Sequence, residues 1–192
     1  MDQTAERFMQ ASEVFGDHVR AVPYDRWTSP TPCSEWTVQD LVNHVVNEQL
    51  WAAPLINGQT IADVGSAFDG DLLGSDPVTA WTNAVAKSRA AFGADGAMDG
   101  IVHLSYGDEK ASNYTDQMTL DALVHGWDLA RAIGVNDVMP PTLVTWALEN
   151  VEPNLELLSG SGMFGAPGEL TDEMSDQARL LAMLGRSANW PT

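Results

Sequence analysis

Three side chains in the stretch TLDALVHGWDLARA have the types and spacing for metal or acid–base chemistry. Asp121 and His125 stand four residues apart, so on a helix they are neighbours on one face. At about 100° per residue, His125 lies about 40° to one side of Asp121 and Asp128 about 20° to the other. Met118, Ala122, Leu129 and Ala132 share this arc, which makes it mostly apolar and core-facing. Burying unpaired charges in such a face is costly, and a divalent cation is an efficient compensator. A carboxylate-x-x-x-His pair can place both side chains on one ion. The competing reading is local: Asp121 caps or pairs nearby, and His125 hydrogen-bonds to it.

A second helix-like stretch supplies a further imidazole. Leu41, Val45, Ala52 and Leu55 form its apolar stripe; His44 lies beside Val45, and Glu48 follows one turn later. A histidine on an apolar face is ordinarily a satisfied core residue. Here two separate helices each carry an imidazole with a carboxylate one turn away, and in a bundle such faces can converge. Two histidines and one carboxylate make a facial set with open positions, as in a reactive zinc site rather than a closed structural one. The other histidines read as bland: His18 near the end of a helix favours its negative C-terminal dipole, and His103 has no partner at ligand spacing. Cys33, between Pro32 and Ser34, has no visible base and reads as a small residue packed at a helix entrance. Trp27, Trp36, Trp51, Trp127 and Trp190 read as packing anchors, with Trp127 beside His125 placed to wall a pocket.

The elements that must position these groups are helical. Residues 2–21 carry Phe8, Ala11, Phe15 and Val19 at helical spacing, and Pro23 ends the run. Residues 22–36 hold three prolines and form a loop. Thr37, with Asp40 three positions on, opens a second helix to about Leu55 in a variant of the capping box. Residues 56–76 read as loop. Asp76-Pro77 starts a third helix to about Phe92. Residues 93–112 contain the alternating run Ile101–Leu104, a strand or merely extended chain. A fourth helix runs from near Ser112 to Ile133 and stops at Gly134. Two more are expected over 141–157 and 172–185. Four long amphipathic helices with little strand signal predict an all-α bundle.

Composition bounds the function. The chain has 192 residues, enough for one domain with a sizeable core. Its 9 Lys and Arg against 27 Asp and Glu give a formal charge of −18. Such a surface repels phosphate backbones and anionic membranes, so nucleic acid and membrane are excluded as partners. One cysteine excludes an internal disulfide framework and a Cys-rich zinc site. The N-terminus shows no signal peptide and no apolar run is long enough to span a membrane, so a cytoplasmic protein is expected.

The stretch Trp27–Val45 (WTSPTPCSEWTVQDLVNHV) resembles the opening motif of the mycothiol-dependent maleylpyruvate isomerase-like, metal-binding branch of the DinB superfamily. Residues 124–132 (VHGWDLARA) are similar to its second motif, and Leu184-Gly185-Arg186-Ser187 to its Gly-Arg tail. The resemblance implies an antiparallel four-helix bundle with short extra C-terminal helices, one domain over residues 1–192, and one divalent metal, zinc or nickel. It places the metal ligands on His44, Asp121 and His125, with Glu48 or Asp128 orienting an imidazole from behind. The family more often has Glu where this chain has Asp121, one methylene shorter. It implies mycothiol or bacillithiol as co-substrate, bound to the metal as a thiolate that adds to an electrophilic small molecule, and hence a thiol transferase or isomerase. The isomerase itself carries a further C-terminal domain for which this chain is too short. The alternative is a non-catalytic metal-binding or stress-linked module. A homodimer is left open.

Overall fold

The computed structural model describes residues 2–160 and 164–190. Four long helices form the frame: α1 (Gln3–Ala21), α2 (Val38–Ile56), α4 (Pro77–Phe92) and α5 (Ala111–Ile133). A short α3 (Ile61–Val64) and a hairpin of β1 (Ile101–Leu104) and β2 (Gly107–Lys110) lie in the connections. Three short helices follow, α6 (Pro141–Val151), α7 (Leu155–Gly160) and α8 (Asp176–Met183).

The caps do what their residue types dictate. Thr37 Oγ1 accepts the Asp40 N–H and the Asp40 carboxylate accepts the Thr37 N–H, a full reciprocal capping box that starts α2. Asp76 caps α4, with Pro77 at its first position. Gly134 ends α5 in the left-handed region at φ 75°. Residues 56–76, expected as loop, contain α3, because Thr60 and Asp63 repeat the same reciprocal cap. The undecided run Ile101–Leu104 is a strand, paired antiparallel from Ile101 opposite Lys110 to Leu104 opposite Gly107. The helix expected over 141–157 breaks into α6, a 3-10 turn at Glu152–Asn154 and α7; Pro153 lies in that turn.

In the bundle α1 packs on α5 and α4, and α2 packs on α4 and α5. Phe15, Val19, Leu41, Val45, Trp81 and Leu129 form one buried cluster between them. α1 and α4 approach closely because residue 16 is glycine: a Cβ there would lie 2.5 Å from Trp81 Nε1. The second cluster joins Trp127 and Leu123 of α5 to Leu143, Ala147, Leu180 and Leu184, and so ties the C-terminal helices to the bundle. No helix among the described residues is long and apolar enough to cross a membrane.

Candidate metal centre

The site lies where α2 meets α5 beneath the loop that precedes α2. His44 comes from α2, Asp121 and His125 from α5. Their donor atoms all lie within 4.8 Å of one another. Both imidazoles present Nε2 to the same oxygen: His44 Nε2 is 3.5 Å and His125 Nε2 3.4 Å from Asp121 Oδ1. These distances are longer than the about 2.9 Å of an N–H···O hydrogen bond. They match the roughly 3.3–3.4 Å between donors that bind one tetrahedral cation at about 2.0–2.1 Å. The donor set and its spacing therefore fit a divalent ion with three protein ligands.

The ring of His125 is held from behind. Its Nδ1 lies 3.0 Å from Asp128 Oδ2. A carboxylate only accepts, so Nδ1 carries a proton, and the ring is held with Nε2 on the Asp121 side. Asp128 is fully buried and is gripped from its other side by Arg186, with Nη2 3.0 Å from Oδ2 and Nε 3.4 Å from Oδ1. Arg186 reaches it because Gly185 turns the chain at φ 73°, with its α-carbon so near Gly165 that a Cβ would sit 2.6 Å from the Gly165 carbonyl carbon. The Gly-Arg tail thus anchors the carboxylate that orients a candidate ligand. Of the two expected orienting groups, Asp128 makes this contact. Glu48 instead borders the cavity, half-buried.

Charge in the site is mutually supporting. Burial would raise the Asp121 carboxyl, but His125, His44 and more distant Arg186 outweigh it and hold it below the usual range. Burial works against charged His44, yet Asp121, with Glu48 behind it, pulls the imidazole above its ordinary value. Burial and the negative charge of Asp121 push Glu48 up. Arg186 is likewise raised, burial being outweighed by Asp128.

The loop before α2 closes the site. Thr31 Oγ1 lies 3.0 Å from the carbonyl oxygens of both Cys33 and Trp36, and Glu35 turns the chain at φ 72°, the one positive φ outside glycine among the described residues. Trp36 is thereby laid on both imidazoles, with ring centroids 5.5 Å from His125 and 4.8 Å from His44. The wall of the site is Trp36. Trp127, expected in that role, is buried in the core under Arg131, because its position points it away from the arc of Asp121. Cys33 is also more than packing: its Sγ lies within 4.8 Å of donor atoms on His125 and Asp128. That second donor group already has its cation in Arg186. Burial raises the Cys33 thiol.

Together these residues border a cavity of about 680 Å³, lined also by Tyr114, Gln117, Met118 and Leu158. Its size suits a small-molecule ligand.

The remaining histidines have structural partners. His103 Nδ1 lies 2.7 Å from Asp108 Oδ1 across the hairpin, a contact invisible until the strands pair. His18 does not serve as a charged helix terminus: its Nδ1–H donates to the Gly126 carbonyl of α5 at 3.0 Å, and burial lowers its pKa. A folded value below the unfolded one means the unfolded chain binds the proton first. Stability from this contact is full above about pH 6.5 and falls as pH drops from there to the lower folded value. His18→Gln, which keeps a donor but cannot titrate, is expected to flatten the loss of Tm between about pH 7 and pH 5 relative to the wild-type chain; parallel Tm curves would contradict a neutral His18.

A family model described as the mycothiol maleylpyruvate isomerase N-terminal domain matches residues 8–130, which include all three candidate ligands. Two Mycobacterium tuberculosis proteins, the uncharacterized proteins MT0763 and Rv0738, are each 34% identical over 138 residues, 70% of this chain and 69% of theirs. The fold is similar to a crystal structure of mycothiol-dependent maleylpyruvate isomerase, with a TM-score of 0.60 and 16% identity over 84% of this chain and 75% of that one. A histidine-to-alanine mutant of that isomerase gives 0.61, with 14% identity over 85% and 75%. The helical, DinB-like architecture expected from the motifs is therefore the observed one, and the chain belongs to the mycothiol maleylpyruvate isomerase N-terminal domain family.

Proposed function

We propose that the chain is a divalent-metal-dependent enzyme that uses a low-molecular-weight thiol, mycothiol first and bacillithiol second, to isomerise or transfer to an electrophilic small molecule. The observation that carries this reading is the pair of 3.4–3.5 Å contacts by which two imidazoles share one Asp121 oxygen at the edge of a 680 Å³ cavity. His44, Asp121 and His125 would hold the ion, zinc or nickel. When bound, that ion supplies Lewis acidity that lowers the pKa of a thiol at its open position.

The chain's own residues do the rest. Asp128 keeps the proton of His125 on Nδ1, and Arg186 keeps Asp128 in place. Trp36 packs against both imidazoles and helps to fix their orientation. Met118, Leu158 and Phe164 give the cavity apolar surface for the substrate. A non-catalytic module would be favoured by a closed site with Glu48 as a fourth ligand; the donor group contains three residues, and Glu48 stands apart from it. The reading places one domain over residues 1–192 in the cytoplasm.

Cobalt substitution tests it. Addition of mycothiol to the cobalt-loaded chain is expected to change the visible spectrum as a sulfur donor enters the open position. A spectrum unchanged by both mycothiol and bacillithiol would move the assignment to the binding module.

A further inference from the structure

One charged group of the cavity has no task in the chemistry described so far. Glu48 lies on α2 one helical turn after His44, about 6 Å further along the axis and about 40° around it. Its side chain borders the same cavity, and its carboxylate oxygens stay open to that space. Neither oxygen has a hydrogen-bond or ion-pair partner among the described residues, and Glu48 stands outside the donor set of His44, Asp121 and His125.

The fold supplies no reason for a carboxylate at this position. Glu48 is set between Val45 and Ala52, both buried, on the apolar stripe of α2. It caps no helix, and Arg186, which borders the same cavity, is held by Asp128. Burial and the negative charge of Asp121 push its carboxyl up, opposed only by His44 and His125 and by no hydrogen bond. An apolar side chain would continue the stripe without that cost.

A carboxylate only accepts, so the missing partner is a donor. Bulk water satisfies such a group until a ligand enters. A ligand that excludes water and brings no donor strands the carboxylate; one with a well-placed N–H replaces the lost hydrogen bond. Glu48 stands one turn from the metal ligand His44, so the donor has to lie close to the sulfur of a metal-bound thiol. A cysteinyl group has this shape: its nitrogen is on the carbon next to the one that carries sulfur, and a hydrogen bond extends its reach by about 2.9 Å.

We propose that Glu48 is a specificity-determining residue whose carboxylate accepts an N–H carried beside the sulfur, so that the cavity selects cysteine-derived thiols over simple alkyl thiols. This rests on the thiol reading above and adds to it the feature by which the thiol is chosen.

The test is titration of the cobalt-loaded full-length chain, followed by its visible spectrum, with two uncharged thiols that differ in one group. N-acetylcysteine methyl ester carries the N–H, and methyl β-mercaptopropionate lacks the whole acetamido group. The wild-type chain is expected to bind the first roughly tenfold more tightly, the effect of one hydrogen bond to a charged acceptor. Glu48→Met, close in volume and without an acceptor, is expected to bring the two affinities together. Loss of a negative charge near the metal shifts both thiols alike, so the ratio of affinities reads the hydrogen bond alone. Glu48→Gln, whose amide oxygen still accepts, is expected to keep part of the preference. The Tm of Glu48→Met is expected to stay level or rise, since an unpaired carboxylate has been removed. A spectrum that responds to both thiols with the same ratio in wild type and Glu48→Met would overturn this proposal and leave the thiol reading standing. A spectrum indifferent to both esters and to mycothiol would overturn both.

Discussion

His125→Ala is expected to strip the chain of its divalent cation, while His103→Ala is expected to leave it in place. Wild-type chain dialysed after zinc loading should hold about one equivalent by elemental analysis, since three donors converge on one point. His125 is the pivotal donor because its Nε2 faces Asp121 at 3.4 Å while its Nδ1 is fixed at 3.0 Å by Asp128. Its loss leaves one imidazole and one carboxylate, too few for a site that must compete with water. The affinity loss should exceed the roughly 10- to 100-fold that follows removal of an outer partner. His103 is an equally ionisable residue, but it sits on the hairpin, paired with Asp108. Equal metal loss in the two variants would show that the ligands have been assigned wrongly.

Arg186→Met is expected to be the most destabilising single change near the site. Asp128 is 0% exposed and Arg186 9% exposed, so removal of the guanidinium strands a buried carboxylate. Breaking such a pair from one side costs about 3–5 kcal/mol. At roughly 2–4 °C per kcal/mol for a chain of this size, the melting temperature should fall by roughly 6–20 °C. Adding Asp128→Asn to Arg186→Met should restore much of the loss, because the amide carries no charge and its oxygen can still accept from His125. A single variant that melts with wild type, or a double variant no better than the single, would contradict this account of the tail.

What could be read from the amino-acid order, and what could not, separates along a physical line. Helix ends were legible because a cap is local: Thr37 with Asp40, Asp76 with Pro77 and Gly134 each act within four residues. The approach of His44 to Asp121 and His125 was expected from two apolar faces and from the motifs, and the fold does bring them together. What was misread depends on contacts between distant parts of the chain. Trp36 and Cys33 reach His125 from a loop about ninety residues earlier, and no spacing encodes that meeting. Arg186 was recognised only as part of a tail, since its partner Asp128 stands 58 positions away. His18 looked like a dipole partner because periodicity describes one helix at a time and does not reveal the Gly126 carbonyl opposite. The Thr60–Asp63 cap carries no periodic signal, because a four-residue helix is too short to show a period.

The central claim is that His44, Asp121 and His125 share one cation, and anomalous diffraction from crystals of the zinc-loaded chain measures it directly. One peak is expected at about 2.0–2.2 Å from His44 Nε2, His125 Nε2 and an Asp121 oxygen, with an open side towards the cavity. A map without a peak there, or with its peak between Cys33 and Asp128 instead, would contradict it.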